Sequence, residues 1–320
     1  MKVLIGPNPY GLEQVIPELG SKHPELELLH CGRHQDLKEA ICDAEVYLGW
    51  LGRRTFLAAR SLEWIQSPSS GVDKYLAVPE IRESGVILTS AAGTHGGALA
   101  DHAFAVILAL SRGIRGSVLQ QQAHRWSMSE IRPTLRELAG STLGAIGFGS
   151  VGKEVAKRAR GFDMRILAVD LLPGDRPDYV ERLAGADGLE RLLAESDFVV
   201  VTVPYTPATR GMIDAGRLDL MKPSAVLVGI SRGGVVDEAA LADRLRQGKL
   251  AGAALDVFEE EPLPEESPLW DVPNLLITPH VAGGTQFETE RILALFTENL
   301  ERFLAGRLPL RNQVDKARGF

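Results

Sequence analysis

The stretch LGAIGFGSVGKEVA, Leu143–Ala156, decides the fold. Apolar Leu143, Ala145 and Ile146 lead into Gly147-Phe148-Gly149-Ser150-Val151-Gly152, after which Val151, Val155, Ala156 and Ala159 recur at helical spacing. A strand, a tight turn and a helix are therefore expected in succession. The glycine pattern alone is a weak signal, but in this context each glycine has a task. Gly147 permits the turn, Gly149 has no Cβ to block a pyrophosphate, and Gly152 lets the helix pack closely on the strand. The N–H groups of the helix start, at Ser150 and Val151, then face a phosphate. A second apolar strand, Arg165 to Val169, ends in Asp170, 18 residues past Gly152, near the roughly 20 expected of a carboxylate that accepts from ribose hydroxyls. Asp170 repels a 2′-phosphate, and Leu171 and Leu172 behind it bring no cation to hold one. The expected nucleotide is NAD rather than NADP.

Outward from this stretch the chain keeps alternating short apolar runs with helical segments. Before it lie Val3 to Ile5, Leu26 to Leu29, Val46 to Leu48, Trp64 to Ile65 and Val86 to Leu88; after it lie Phe198 to Val203, Ala225 to Ile230, Ala251 to Asp256 and Leu275 to Thr278. Helices are expected at Val151 to Arg160, Gly188 to Glu195 and Glu238 to Gln247, and one long helix over Ala98 to Ala123. Strands alternating with helices give α/β architecture with parallel sheets covered by helices. A length of 320 residues exceeds what one core usually serves, so two domains are expected. Beyond His280, the segment Phe287 to Leu304 carries Ile292, Leu295, Phe296, Leu300 and Phe303 at helical spacing. This amphipathic helix is expected to dock on the first domain and make it discontinuous, 1–97 plus 285–320, around a nucleotide domain 98–284.

Composition excludes several classes of partner. The net charge of −7 repels a nucleic-acid backbone or an anionic membrane surface, so neither is an expected partner. The longest apolar run, Ala103 to Leu110, has eight residues against the roughly 20 a membrane-spanning helix needs. The amino-terminal MKVLIGPNPYG is too short in apolar residues for a secretory signal, and the expected location is cytoplasmic. Cys31 and Cys42 make neither a disulfide framework nor a zinc site. No metal is expected, and a site built from His95, Asp101 and His102 is disfavoured.

Three polar residues follow strands on the carboxyl side of the sheet, where open parallel sheets bind ligands. Arg232 follows the strand ending at Ile230, Glu261 lies in the acidic run after Ala251 to Asp256, and His280 follows Leu275 to Thr278. An Arg fork grips a carboxylate, a protonated His quenches charge developing on a carbonyl oxygen, and a neighbouring Glu fixes the imidazole. Beside a nicotinamide this trio reduces a keto acid.

The chain resembles the D-isomer-specific 2-hydroxyacid dehydrogenases over nearly its whole length. The matching blocks are SSGVDKYL at 69–76, AAGTHGGALADHAFAVILALSR at 91–112, the glycine stretch, VVVTVPYTPATRGMI at 199–213, the run from Ile230 to Trp270, and TPHVAGGT at 278–285. The resemblance implies two Rossmann-like doubly wound domains with the active site in the cleft, and a homodimer with the long helix at its interface. It implies Arg232, Glu261 and His280 as catalytic, and Arg232 and His280 also as substrate contacts with Arg54, Ser70 and Gly71. Thr202, Val203, Pro204, Thr209, Ile230, Ser231, Asp256 and Gly283 are implied as cofactor contacts, Asp256 at the nicotinamide carboxamide. The activity it implies is reduction of a small 2-keto acid of the glyoxylate, hydroxypyruvate or pyruvate class. Alternatives are dehydrogenation of formate, phosphite or phosphoglycerate, or an NAD-binding corepressor. Departures from the family pattern are Gly229 where Asn is frequent, a single matching Arg in Gly52-Arg53-Arg54-Thr55, and His95 where many relatives carry Asn.

Overall fold

The computed structural model describes residues 1–320 and divides into two compact units, Met1–His95 with Thr285–Phe320, and Gly96–Gly284. The first unit holds five parallel strands: β1 (Lys2–Ile5), β2 (Glu27–His30), β3 (Val46–Leu48), β4 (Trp64–Gln66) and β5 (Ile87–Thr89), in the order β2-β1-β3-β4-β5. One core cluster gathers Val3, Ile5, Val46, Leu48 and Trp64 with Ile292, Phe296 and Leu300 of the terminal helix Glu288–Leu304. Trp64 stacks on Phe296 at 5.4 Å between ring centroids, a contact that adds to the area both rings bury. A second cluster, with Leu4, Tyr47, Ile65 and Leu88, also belongs to this unit.

The second unit holds seven parallel strands: β6 (Thr142–Ile146), β7 (Arg165–Val169), β8 (Arg182–Ala184), β9 (Phe198–Val201), β10 (Val226–Gly229), β11 (Gly252–Leu255) and β12 (Leu275–Ile277). Their order is β12-β11-β10-β9-β6-β7-β8. Each residue of β6 and β9 is buried, which is why these strands read as continuous apolar runs and not as alternation. The chain moves outward from β6 to β8 and then returns to place β9 on the other side of β6. That reversal is a topological switch point, and ligands of such sheets bind outside the carboxyl ends of the strands that flank it.

Two elements differ from the sequence reading. The expected helix from Ala98 to Ala123 is two helices, Gly96–Ser111 and Ile114–Gln122, bent by 66°. Gly113 lies between them with φ of 68°, a left-handed conformation that ends a helix and that glycine adopts without steric cost. Strand β8 was not expected; its three residues, Arg182, Leu183 and Ala184, pair with Leu167 to Val169. No single helix is long and apolar enough to cross a membrane.

Candidate active site

The glycine loop sits at the switch point. Gly147, at φ of 91°, follows β6, and Gly149 caps the helix Ser150–Gly161. A Cβ on Gly152 would lie 2.1 Å from the Gly147 carbonyl oxygen, whereas one on Gly149 would meet nothing within 4 Å. Gly152 therefore serves backbone packing, and Gly149 leaves the space a phosphate needs at a helix start. Thr202, just past β9, donates through Oγ1 to the Ile146 and Gly147 carbonyls at 3.1 and 3.0 Å. Val203 packs against Gly147, and Thr209 Oγ1 donates to the Pro204 carbonyl at 2.6 Å.

Asp170 ends β7, and its carboxylate accepts from the Phe148 N–H at 2.6 Å and the Leu172 N–H at 2.9 Å. The acid thus sits against the glycine loop itself, where a ribose beside the pyrophosphate would lie. Ile230 is buried after β10, and the Ser231 hydroxyl is buried without any hydrogen-bond partner. Ser231 lines a small cavity with Arg232 and Glu238. The open space at Gly149, the helix start, the Asp170 carboxylate and the orphaned Ser231 hydroxyl together fit a dinucleotide.

The predicted trio belongs to this same unit. Glu261 Oε2 lies 2.7 Å from His280 Nδ1, and Glu261 Oε1 accepts from the Phe258 N–H at 3.0 Å. Nδ1 is engaged by the carboxylate, which leaves Nε2 as the nitrogen available to another partner. Arg232 is tied locally, its Nη1 donating to the Ser231 carbonyl at 2.7 Å. A Cβ on the next residue, Gly233, would lie 1.9 Å from the Phe258 carbonyl oxygen, so the Arg232 loop and the loop leading to Glu261 touch backbone to backbone. Glu238 Oε1 accepts from the Glu259 N–H at 2.6 Å and steadies that second loop. Burial pushes the Glu238 carboxyl up, the Glu259 N–H bond opposes this, and the charges of Glu259 and Glu261 add to it.

His280 has φ of 52°, a strained conformation for a non-glycine residue that must be held by its surroundings. Asp256 holds it. This side chain is only 2% exposed; Oδ1 accepts from Thr278 Oγ1 at 2.6 Å and the Val281 N–H at 2.9 Å, and Oδ2 accepts from the Ala282 N–H at 2.9 Å. His102 Nε2 lies 3.1 Å from Thr278 Oγ1. Sequence reasoning placed Asp256 at the cofactor and gave His102 no part in the site. Only their separation of many residues from the His280 turn hid that bracing. Gly283 continues the same turn. Arg54, exposed on the short helix Arg53–Phe56, and Ser70 and Gly71, in the loop after β4, belong to the other unit.

A doubly wound parallel sheet with a glycine loop at its switch point and a Glu–His pair at its strand ends defines a nucleotide-dependent oxidoreductase. Residues 104–282 match the model of the D-isomer specific 2-hydroxyacid dehydrogenase NAD-binding domain. The chain is 37% identical over 286 residues to a glyoxylate reductase of Pyrococcus furiosus, covering 86% of this chain and 84% of that one. It is 36% identical over 310 residues to a glyoxylate reductase of Korarchaeum cryptofilum, covering 92% of each. Among solved structures, a D-isomer specific 2-hydroxyacid dehydrogenase of Xanthobacter autotrophicus in complex with NADPH and MES superposes with a TM-score of 0.85 at 30% identity, covering 99% of both chains. The chain belongs to the D-isomer-specific 2-hydroxyacid dehydrogenase family, oxidoreductases that act on CH–OH groups.

Proposed function

We propose that this protein reduces a small 2-keto acid, of the glyoxylate, hydroxypyruvate or pyruvate class, to the D-2-hydroxy acid with NADH. The observation that carries the proposal is the Glu261–His280 pair at 2.7 Å, on a strained turn at the same strand ends as Arg232. When bound, reduced nicotinamide supplies a hydride to the carbonyl carbon. His280 Nε2 gives a proton to the carbonyl oxygen as charge gathers there, while Glu261 holds the ring and stabilises the imidazolium before transfer. Arg232 grips the substrate carboxylate through its planar fork. Ser70 and Gly71, whose N–H groups have no acceptor within the chain, receive the same class of anion, and Arg54 adds positive charge toward it.

Asp170 selects NAD. Its carboxylate already lies against the glycine loop, so a 2′-phosphate there meets a like charge, and Leu171 and Leu172, immediately after it, offer no cation. The chain also pairs with a second copy through Ile114, Val118, Leu119, Trp126 and Met128, all exposed, with Trp126 at 95%; an apolar patch of this kind marks an interaction surface. The test of the functional reading is the initial rate of NADH and NADPH oxidation across glyoxylate, hydroxypyruvate and pyruvate. Turnover of at least one with NADH, and a kcat/KM at least about tenfold lower with NADPH, is expected. No turnover on any of the three overturns the reading.

A further inference from the structure

His95 follows the loop after β5, far in sequence from every residue of the glycine site, yet it is buried and fully engaged. Nε2 lies 3.0 Å from Glu288 Oε1 at the start of the terminal helix. Nδ1 lies 2.7 Å from Thr94 Oγ1 and 3.1 Å from Ser70 Oγ. Both hydroxyls also reach the Ala91 carbonyl, at 2.7 and 3.1 Å, and the Ala91 N–H donates to the Ser69 carbonyl at 2.9 Å. Glu288 is itself anchored beside Tyr10, whose phenol is pushed up first by burial and then by the Glu288 charge. The neighbouring Thr289 and Arg291 donate to the Tyr10 and Thr94 carbonyls at 2.7 and 3.1 Å. The loop Ser67 to Gly71 is thus bound to the terminal helix through one imidazole, while the Ser70 and Gly71 N–H groups stay without an acceptor.

We infer that His95 is a positioning residue for substrate: linked to Glu288, it fixes the Ser69–Gly71 turn so that the free N–H groups of Ser70 and Gly71 are presented to the substrate anion. This rests on the functional reading above, since it assigns the turn to the keto-acid carboxylate. Two donors converging on one carboxylate add geometric specificity as well as energy, and a turn released from Ser70 Oγ would spread them. Nδ1 carries one proton or one lone pair, which it shares between the Thr94 and Ser70 hydroxyls, and loss of that one shared hydrogen bond is worth up to about tenfold in binding.

The test compares wild type with His95→Ala and His95→Asn, reading KM and kcat for glyoxylate, the dissociation constant for NADH, and hydrogen exchange at the Ala91 amide. An Asn amide reaches the Thr94 and Ser70 hydroxyls but not Glu288. In His95→Ala, KM for glyoxylate is expected to rise about tenfold with kcat within about twofold, NADH affinity unchanged and Ala91 exchange faster; His95→Asn, which keeps the hydroxyl contacts but loses Glu288, is expected to recover only part of the KM. Unchanged KM and unchanged Ala91 exchange in His95→Ala overturn the inference and leave the functional reading standing. A joint fall in kcat, substrate affinity and NADH affinity, not rescued by Asn, also overturns it by showing a general folding role. If wild type turns over no glyoxylate, hydroxypyruvate or pyruvate, the functional reading fails, and with it the assignment of the turn to substrate. Ala91 exchange then still decides separately whether His95 fixes the turn.

Discussion

Replacing Asp256 with Asn exchanges one oxygen for an NH₂ group in a side chain that is 2% exposed and leaves the volume unchanged. The remaining oxygen can keep Thr278 Oγ1 and the Val281 N–H, now 2.6 and 2.9 Å from Oδ1. The new NH₂ then faces the Ala282 N–H, which lies 2.9 Å from Oδ2, donor against donor. A buried N–H left without an acceptor costs about 1–3 kcal/mol, and loss of charge on the two surviving bonds costs about 1 kcal/mol each. The turn Thr278–Ala282 therefore loses about 3–5 kcal/mol of restraint. His280 sits in that turn at φ of 52°, so the turn relaxes and carries the imidazole away from its place. A displacement of about 1 Å in a catalytic group costs on the order of 100-fold in rate. Steady-state kinetics on glyoxylate should show kcat down by about that factor while urea unfolding shows a smaller loss, because the turn can relax without unfolding the sheet. A kcat within about twofold of wild type would refute the assignment of Asp256 as the brace of His280.

Gly152→Ala places a methyl group 2.1 Å from the Gly147 carbonyl oxygen, so the glycine loop must move, and NADH affinity measured by fluorescence titration should fall at least about tenfold; unaltered affinity contradicts the role given to this loop. Glu195, bonded to Arg191, Arg165 and Arg182, is held at a pKa of about 2 against about 4.3 in an unfolded chain. Its stabilisation is present above the unfolded value and is lost as pH falls through the folded one. Urea midpoints followed from pH 5 to 2 should therefore drop more steeply for wild type than for Glu195→Gln; parallel curves would show that the three arginines do not hold this carboxylate in solution. Trp126→Glu, which puts a charge on the exposed patch with Leu119 and Met128, should halve the mass seen by light scattering after gel filtration, and an unchanged mass moves the interface elsewhere.

The sequence displays most of the second unit because its information is local. The strand before Gly147, the helix after Gly149 and the acid after β7 lie within 30 residues, each following a fixed period or spacing. β8 escaped because Arg182-Leu183-Ala184 is short and lacks β-branched residues, so its pairing with β7 rests on tertiary context. The break at Gly113 escaped because Ile114 to Gln122 continues a helix-forming composition; one glycine at φ of 68° overrides that tendency. The Glu261–His280 pair was legible as two polar residues after strands. The hydrogen bonds by which Asp256 braces the His280 turn, and the link from His95 to Glu288, were not. Asp256 meets its partners 22 to 26 positions away, and His95 meets Glu288 across 193. Neither separation has a sequence period, and a buried carboxylate or imidazole declares its partners only once the chain has folded.

The most direct measurement of the central claim is the rate of NADH oxidation by His280→Ala on the 2-keto acid that wild type turns over best, together with its dissociation constant for NADH. With His280 as proton donor, kcat is expected to be lower by about 100-fold or more with NADH affinity within about threefold of wild type. Near-normal turnover would show that His280 is not the proton donor, and a collapse of NADH affinity in parallel with turnover would show that His280 serves the nucleotide site and not the chemistry.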